Sequence, residues 1–174
     1  MKRLVLIMVA ACMFVGIAHA QGQESVAGRQ TEMKKLDKLV GSWKGSGWFE
    51  RQGKRETFTG SEVVQRKIDG LVVLIEGKHL NPEGKVIHET LGVLSYDDAT
   101  KVYKFATYLA SGPTGTYDLK VVPEGYEWGF QLPSGGTIRY LIKADNDVWL
   151  ETGEFSRDGK AWTKFFEMKL DRAK

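Results

Sequence analysis

The sequence predicts an all-β protein: an antiparallel up-and-down β-barrel of about ten strands with a short N-terminal helix plugging one end. Three observations lead there. From Gly41 onward apolar and polar residues alternate with period two. Turn residues interrupt that alternation at short intervals, and no helical periodicity of any length follows. Finally, Leu36-Asp37-Lys38-Leu39-Val40-Gly41-Ser42-Trp43 switches from helical to strand spacing. Met33, Leu36, Leu39 and Val40 share one face, Gly41 stops the helix, and Trp43, Gly45, Gly47 and Phe49 then alternate.

The chain opens with Met1-Lys2-Arg3, an apolar run and Ala18-His19-Ala20. A basic start, an apolar middle and a small-x-small end read as a secretory signal over residues 1–20, cleaved after Ala20. The protein is therefore expected to be periplasmic or secreted. Val9-Ala10-Ala11-Cys12 also fits a lipoprotein site, but the apolar run continues to Ile17, which favours cleavage at Ala20. Cleavage removes Lys2 and Arg3, leaving 23 basic against 22 acidic residues, and removes the one cysteine. The mature chain then has no disulfide, no thiol chemistry, no charge excess suited to nucleic acid and no transmembrane segment. It must be held together by burial, and a 42% hydrophobic composition with 11% aromatic residues supplies the area.

Residues 21–30 are polar and read as a flexible leader, with Thr31 as helix N-cap and residues 31–174 as the barrel domain. Turns at 51–54, 69–70, 81–84, 97–100, 111–114, 123–125, 133–136, 145–146 and 157–159 leave about ten strands in hairpin succession. Closing the sheet removes its two edges, which pairs the last strand with the first.

A two-residue turn at Asp69-Gly70 sets Ile68 opposite Leu71, Arg66 opposite Val73, Val64 opposite Ile75 and Glu62 opposite Gly77. Counting across the next turn places Gly77 opposite His88 and His79 opposite Val86. The following hairpin places Leu94 opposite Tyr103, Gly92 opposite Phe105 and Thr90 opposite Thr107. One face collects Phe58, Val64, Leu71, Val73, Ile75, Leu94, Tyr103, Phe105 and Leu109. The other collects Lys78, Lys85, Glu89 and Lys104 and faces water. Leu119, Tyr126, Trp128, Phe130, Ile138, Tyr140, Ile142, Leu150, Trp162, Phe166 and Met168 continue the apolar face, with Trp48 and Trp149 turned outward as candidate contact residues.

Gly41-Ser42-Trp43, a Gly-x-Trp at the first strand after a plugging helix, resembles the calycin superfamily of lipocalins, fatty-acid-binding proteins and nitrobindin-like barrels. The wider pattern is similar to a family of uncharacterised secreted bacterial proteins. It is carried by Leu74-Ile75-Glu76-Gly77, Leu94-Ser95-Tyr96-Asp97, Trp128-Gly129-Phe130, Ile138-Arg139-Tyr140, Glu151-Thr152-Gly153-Glu154-Phe155-Ser156 and Asp158-Gly159-Lys160-Ala161-Trp162. The resemblance implies a barrel whose base is closed by Trp43 under a basic side chain, here Arg172, with Lys169 pointing outward. Haem-binding relatives use a histidine late in the barrel. This chain has none after His88, so no haem ligand carries over.

The register aligns Glu62, Gly77 and His88 across three strands, with His79 diagonal to Glu62 and His88, and Arg66 and Thr90 one step away. A glycine between polar side chains makes room for a ligand's polar end. The same residue types could form a two-histidine, one-carboxylate metal set or a self-satisfied polar network. Tyr103, Phe105, Tyr117, Trp128, Phe130, Tyr140 and Trp162 would line a lumen if it is wide enough, and fill it otherwise. Glu154 and Lys164 are expected to form an ion pair near the rim. No Gly-x-Ser-x-Gly, His-Glu-x-x-His, phosphate loop or dinucleotide glycine pattern occurs, so no catalytic residue is assigned. The sequence reads as an exported binding protein for a small hydrophobic or amphipathic molecule, without metal or cofactor. Two alternatives are an enzyme using a lumenal Glu/His acid-base pair and a partner-binding barrel with a filled interior.

Overall fold

The computed structural model describes residues 25–174. Residues 1–24, which include the expected signal segment, lie outside the described residues. Ten antiparallel strands close in sequence order: β1 (Gly41–Arg51), β2 (Lys54–Lys67), β3 (Val72–Leu80), β4 (Val86–Asp97), β5 (Val102–Leu109), β6 (Thr114–Val122), β7 (Gly125–Gln131), β8 (Thr137–Asp145), β9 (Val148–Ser156) and β10 (Thr163–Arg172). Each strand pairs with its chain neighbours, and β10 pairs with β1, so no edge is left open. Among the described residues no helix is long and apolar enough to cross a membrane.

The plug is longer than the sequence suggests. Residues 25–34 form one helix, so the supposed leader from residue 25 onward is its first turns. Thr31 lies inside this helix rather than capping it, and its hydroxyl donates back to the Ala27 carbonyl at 2.9 Å. A 3₁₀ turn at Asp37–Leu39 follows. Met33, Leu36 and Leu39 are completely buried. The helix is tied to the barrel by Gln30, which donates to the Asp69 carbonyl at 2.8 Å, and by the Tyr103 and Tyr126 hydroxyls, which donate to Glu32 Oε2 at 2.8 Å and the Lys35 carbonyl at 2.9 Å.

Trp43 pairs with Arg172 across the β1–β10 seam. The guanidinium carbon lies 4.1 Å from the indole centroid, and Arg172 Nη1 donates to the Val40 carbonyl at 2.7 Å. Trp43 Nε1 donates to the Leu39 carbonyl at 2.8 Å, and its ring meets Trp149 edge-on at 5.7 Å. Gly41 has φ +140, and a Cβ there would collide with Arg172 Nη1. The strand therefore begins at a residue without a side chain so that Arg172 can reach the cap.

The β2–β3 register is as expected for Arg66–Val73, Val64–Ile75 and Glu62–Gly77. The Asp69-Gly70 turn is also as expected, with the Leu71 N–H donating to the Ile68 carbonyl at 3.0 Å. Ile68 itself has positive φ, like Asp69 and Gly70, so regular pairing begins at Lys67–Val72 and the Ile68 side chain points to solvent. The next two hairpins are each displaced by two residues. A bulge between His79 and Leu80 pairs His79 with His88 and Gly77 with Thr90, and a β4–β5 turn set one residue later, over 98–101, pairs Leu94 with Phe105 and Tyr96 with Tyr103. A slip of two keeps every side chain on its face, so the inward set survives.

Candidate functional site

The lumen holds a cavity of about 370 Å³. Of the residues the sequence assigns to a site, Glu62, His79, His88, Thr90, Phe105, Trp128, Phe130 and Tyr140 line it, together with Tyr117. Gly77 lies beneath Glu62: a Cβ there would sit 2.7 Å from both carboxylate oxygens and 2.8 Å from Thr90 Cγ2. The missing side chain is the space the Glu62 carboxylate occupies.

Three of the assigned residues are elsewhere. Arg66 points inward but at the plugged end, where it donates to the Met33 and Gly70 carbonyls and pairs with Asp37. Tyr103 is spent on Glu32 in the same place. Trp162 lies outside the lumen, 3.9 Å beneath the Arg139 guanidinium. A bulge pairs Lys164 with Glu154 but Phe166 with Gly153, so residues before it fall out of phase with Phe166 and Met168. Lys164 and Glu154 are thus backbone neighbours without an ion pair. Glu154 accepts from Arg139 at 2.8 Å, and Lys164 bonds Glu167 at 2.7 Å.

Strand β9 adds residues that the sequence reading turned outward. The two-residue loop is Asn146-Asp147, both at positive φ, and it pairs the inward Ala144 with Trp149 and Ile142 with Glu151. Trp149 is therefore buried rather than exposed, Leu150 faces away from the lumen, and Glu151 enters it. The signal was present: Asn and Asp are the residues that tolerate this turn's left-handed positions. Trp48 does face outward, half-buried under Arg55, whose guanidinium carbon is 3.5 Å from the ring centroid.

His79 stacks between Phe58, at 4.3 Å, and His88, at 4.9 Å. Its Nε2 is 3.8 Å from Glu62 Oε1, beyond hydrogen-bond reach. Glu62 Oε2, His79 Nε2 and Trp128 Nε1 are buried with no protein partner. Burial pushes the Glu62 carboxyl up to about 8 and both imidazoles down to about 4, His88 also because His79 lies beside it. Burial raises Glu151 to about 8 as well, helped by nearby Glu62 and opposed by the Trp149 indole, which donates to it at 3.3 Å. The interior of the lumen therefore holds neutral acids and neutral imidazoles near neutral pH. Among the described residues, no three histidines, cysteines or acids come together as a metal site. The walls are aromatic: Trp128 stacks on Tyr140 at 4.5 Å and meets Phe105 edge-on at 5.1 Å.

The fold and site define a closed ten-stranded antiparallel barrel, plugged at one end, with an aromatic cavity floored by polar groups. It is similar to the crystal structure of Rv2717c from M. tuberculosis, with a TM-score of 0.60 and 14% sequence identity over 82% of this chain and 97% of that one. At that identity the likeness speaks for the fold. No family model matches the sequence, and no curated protein does.

Proposed function

We propose that the barrel binds a small, largely apolar molecule in its lumen, with Glu62, His79 and His88 reading the molecule's polar end. The observation that carries this is the conjunction of a cavity of about 370 Å³ with three buried polar atoms left without partners. Ligand pockets commonly measure roughly 300–1,000 Å³ and combine apolar walls with a few convergent polar groups. Unpaired buried polar atoms cost about 1–3 kcal/mol each, and a ligand that pairs them recovers that cost. A barrel serving only as a partner-binding scaffold gains nothing by leaving them open. This reading places the protein with calycin-like binding barrels and assigns residues 1–20 to export. Recovery of a chain beginning at Gln21 from the periplasm or medium tests the second part.

The binding test is titration with the neutral fluorophore N-phenyl-1-naphthylamine. Saturable enhancement at one site is expected, and Phe105→Glu should abolish it by placing a charge in the wall. No saturable uptake, together with indifference to Phe105→Glu, overturns the proposal.

A further inference from the structure

We infer that the polar end of the ligand is cationic, a protonated or alkylated amine held by Glu62 and Glu151 within the aromatic walls; this rests on the lumenal binding reading above. Glu62 is 6% exposed, lines the cavity, and presents an oxygen with no partner. Glu151 lines the same cavity from β9, three strands round the barrel from the β2 of Glu62 and two residues along from Trp149. Neither carboxyl has a basic side chain bonded to it, and the bonded partner of Glu151 is a neutral indole. Two acids facing one enclosed space, without a protein cation between them, are complementary to a positive guest. The walls agree. The stacked Trp128 and Tyr140 rings and Phe166, 5.9 Å from Tyr140, are the surfaces on which an ammonium group rests favourably.

The histidines, Tyr140 and Arg51 on this wall do not oppose it. His79 and His88 are held neutral, so each keeps an acceptor nitrogen and adds no positive charge. The Tyr140 hydroxyl is held protonated by burial. Arg51, the basic residue on the cavity wall, ends β1 at the mouth, eight residues from Trp43 at the plugged end, with its guanidinium over Phe49. A cation therefore goes deep and an apolar tail lies toward the mouth.

In the free protein the carboxyls titrate near 8, and a bound cation favours their ionised forms. Binding should therefore release protons at neutral pH and tighten as pH rises to about 8.

The experiment displaces bound N-phenyl-1-naphthylamine with octylammonium, octanol and octanoate, three guests of one tail and different heads. Octylammonium, which like a lysine stays charged below about pH 10, should bind about tenfold or more tighter than octanol, equivalent to ~1.4 kcal/mol. Its affinity should rise from about pH 6 to 8 and then level. Calorimetry in buffers of different ionisation heat should register proton release for octylammonium and none for octanol. Glu62→Gln should bring the ammonium-to-alcohol ratio close to one, and Glu151→Gln should lower it independently if the first variant does not fold. Octanol binding as tightly as octylammonium at pH 8, octanoate binding tighter, or failure of octylammonium to displace a bound probe overturns the inference and leaves lumenal binding standing. No uptake of the probe by the native protein overturns both.

Discussion

The two ends of the lumen are built on opposite terms. At the plugged end Trp43, Leu39, Met33 and Leu36 are almost wholly buried, and the polar groups among them are satisfied: indole to Leu39, guanidinium to Val40, Tyr103 to Glu32. In the middle of the barrel Glu62, His79 and Trp128 are buried with atoms that have no protein partner, around the cavity. Burial with every hydrogen bond made stabilises. Burial without them costs free energy that folding elsewhere must offset. The difference shows where burial holds the molecule together and where burial works against it.

The contrast breaks most sharply at Trp43. Trp43→Ala should cost about 3–5 kcal/mol in denaturant unfolding, since it opens a void beneath Arg172 and strips Trp149 of its partner. A cost below about 1 kcal/mol would mean that the cap is not what secures the barrel.

Gly77→Ala tests the middle. The added methyl would meet both Glu62 oxygens and Thr90, so about 1–3 kcal/mol of stability is expected to go, with weakened uptake of a lumenal probe. Unchanged binding and unchanged unfolding would show that the Glu62 carboxylate has room to move aside.

The pH dependence of stability sharpens the comparison because the titrating groups belong to the middle. A carboxyl raised to about 8 stabilises the fold fully below its unfolded pKa of 4.5, and that stability is lost as pH rises toward 8. An imidazole lowered to about 4 stabilises above 6.5, and that contribution is lost as pH falls toward 4. Between 4.5 and 6.5 the two pairs oppose each other, so the unfolding free energy should be nearly flat there and decline from 6.5 to 8. Glu62→Gln should lessen the decline between 6.5 and 8. A profile that rises over that interval contradicts the assignment.

The smallest effect belongs to the outer surface. Arg139→Ala removes a half-exposed pair with Glu154 and a stack on Trp162, and should shift stability by no more than about 1 kcal/mol while leaving probe binding unchanged. A larger loss would mean that Trp162 packs on more than Arg139.

The Trp43–Arg172 cap was implied by the resemblance carried by Gly41-Ser42-Trp43. The alternation and its turns were enough to read the barrel and its closure, because side-chain phase in a strand depends only on parity. That is why Glu62, His79, His88 and Phe105 are correctly placed indoors even where the pairing is displaced by two. The inward position of Glu151 followed from which two residues occupy the β8–β9 loop, and Asn146-Asp147 gave a usable hint. The fate of Trp162 did not, since a bulge at the start of β10 leaves no clear mark in composition.

By itself, then, the sequence determined the class of fold, the inward set of β2 to β5 and the buried Met33, Leu36 and Leu39 of the plug. Those are local or periodic properties, fixed by spacing along one strand. Only the tertiary structure decided that Arg66 and Tyr103 serve the plug, that His79 stacks on His88, and that Glu151 faces the same space as Glu62. These depend on bulges, loop lengths and the approach of strands distant in the chain, where one residue more or less exchanges the inside of the barrel for the outside.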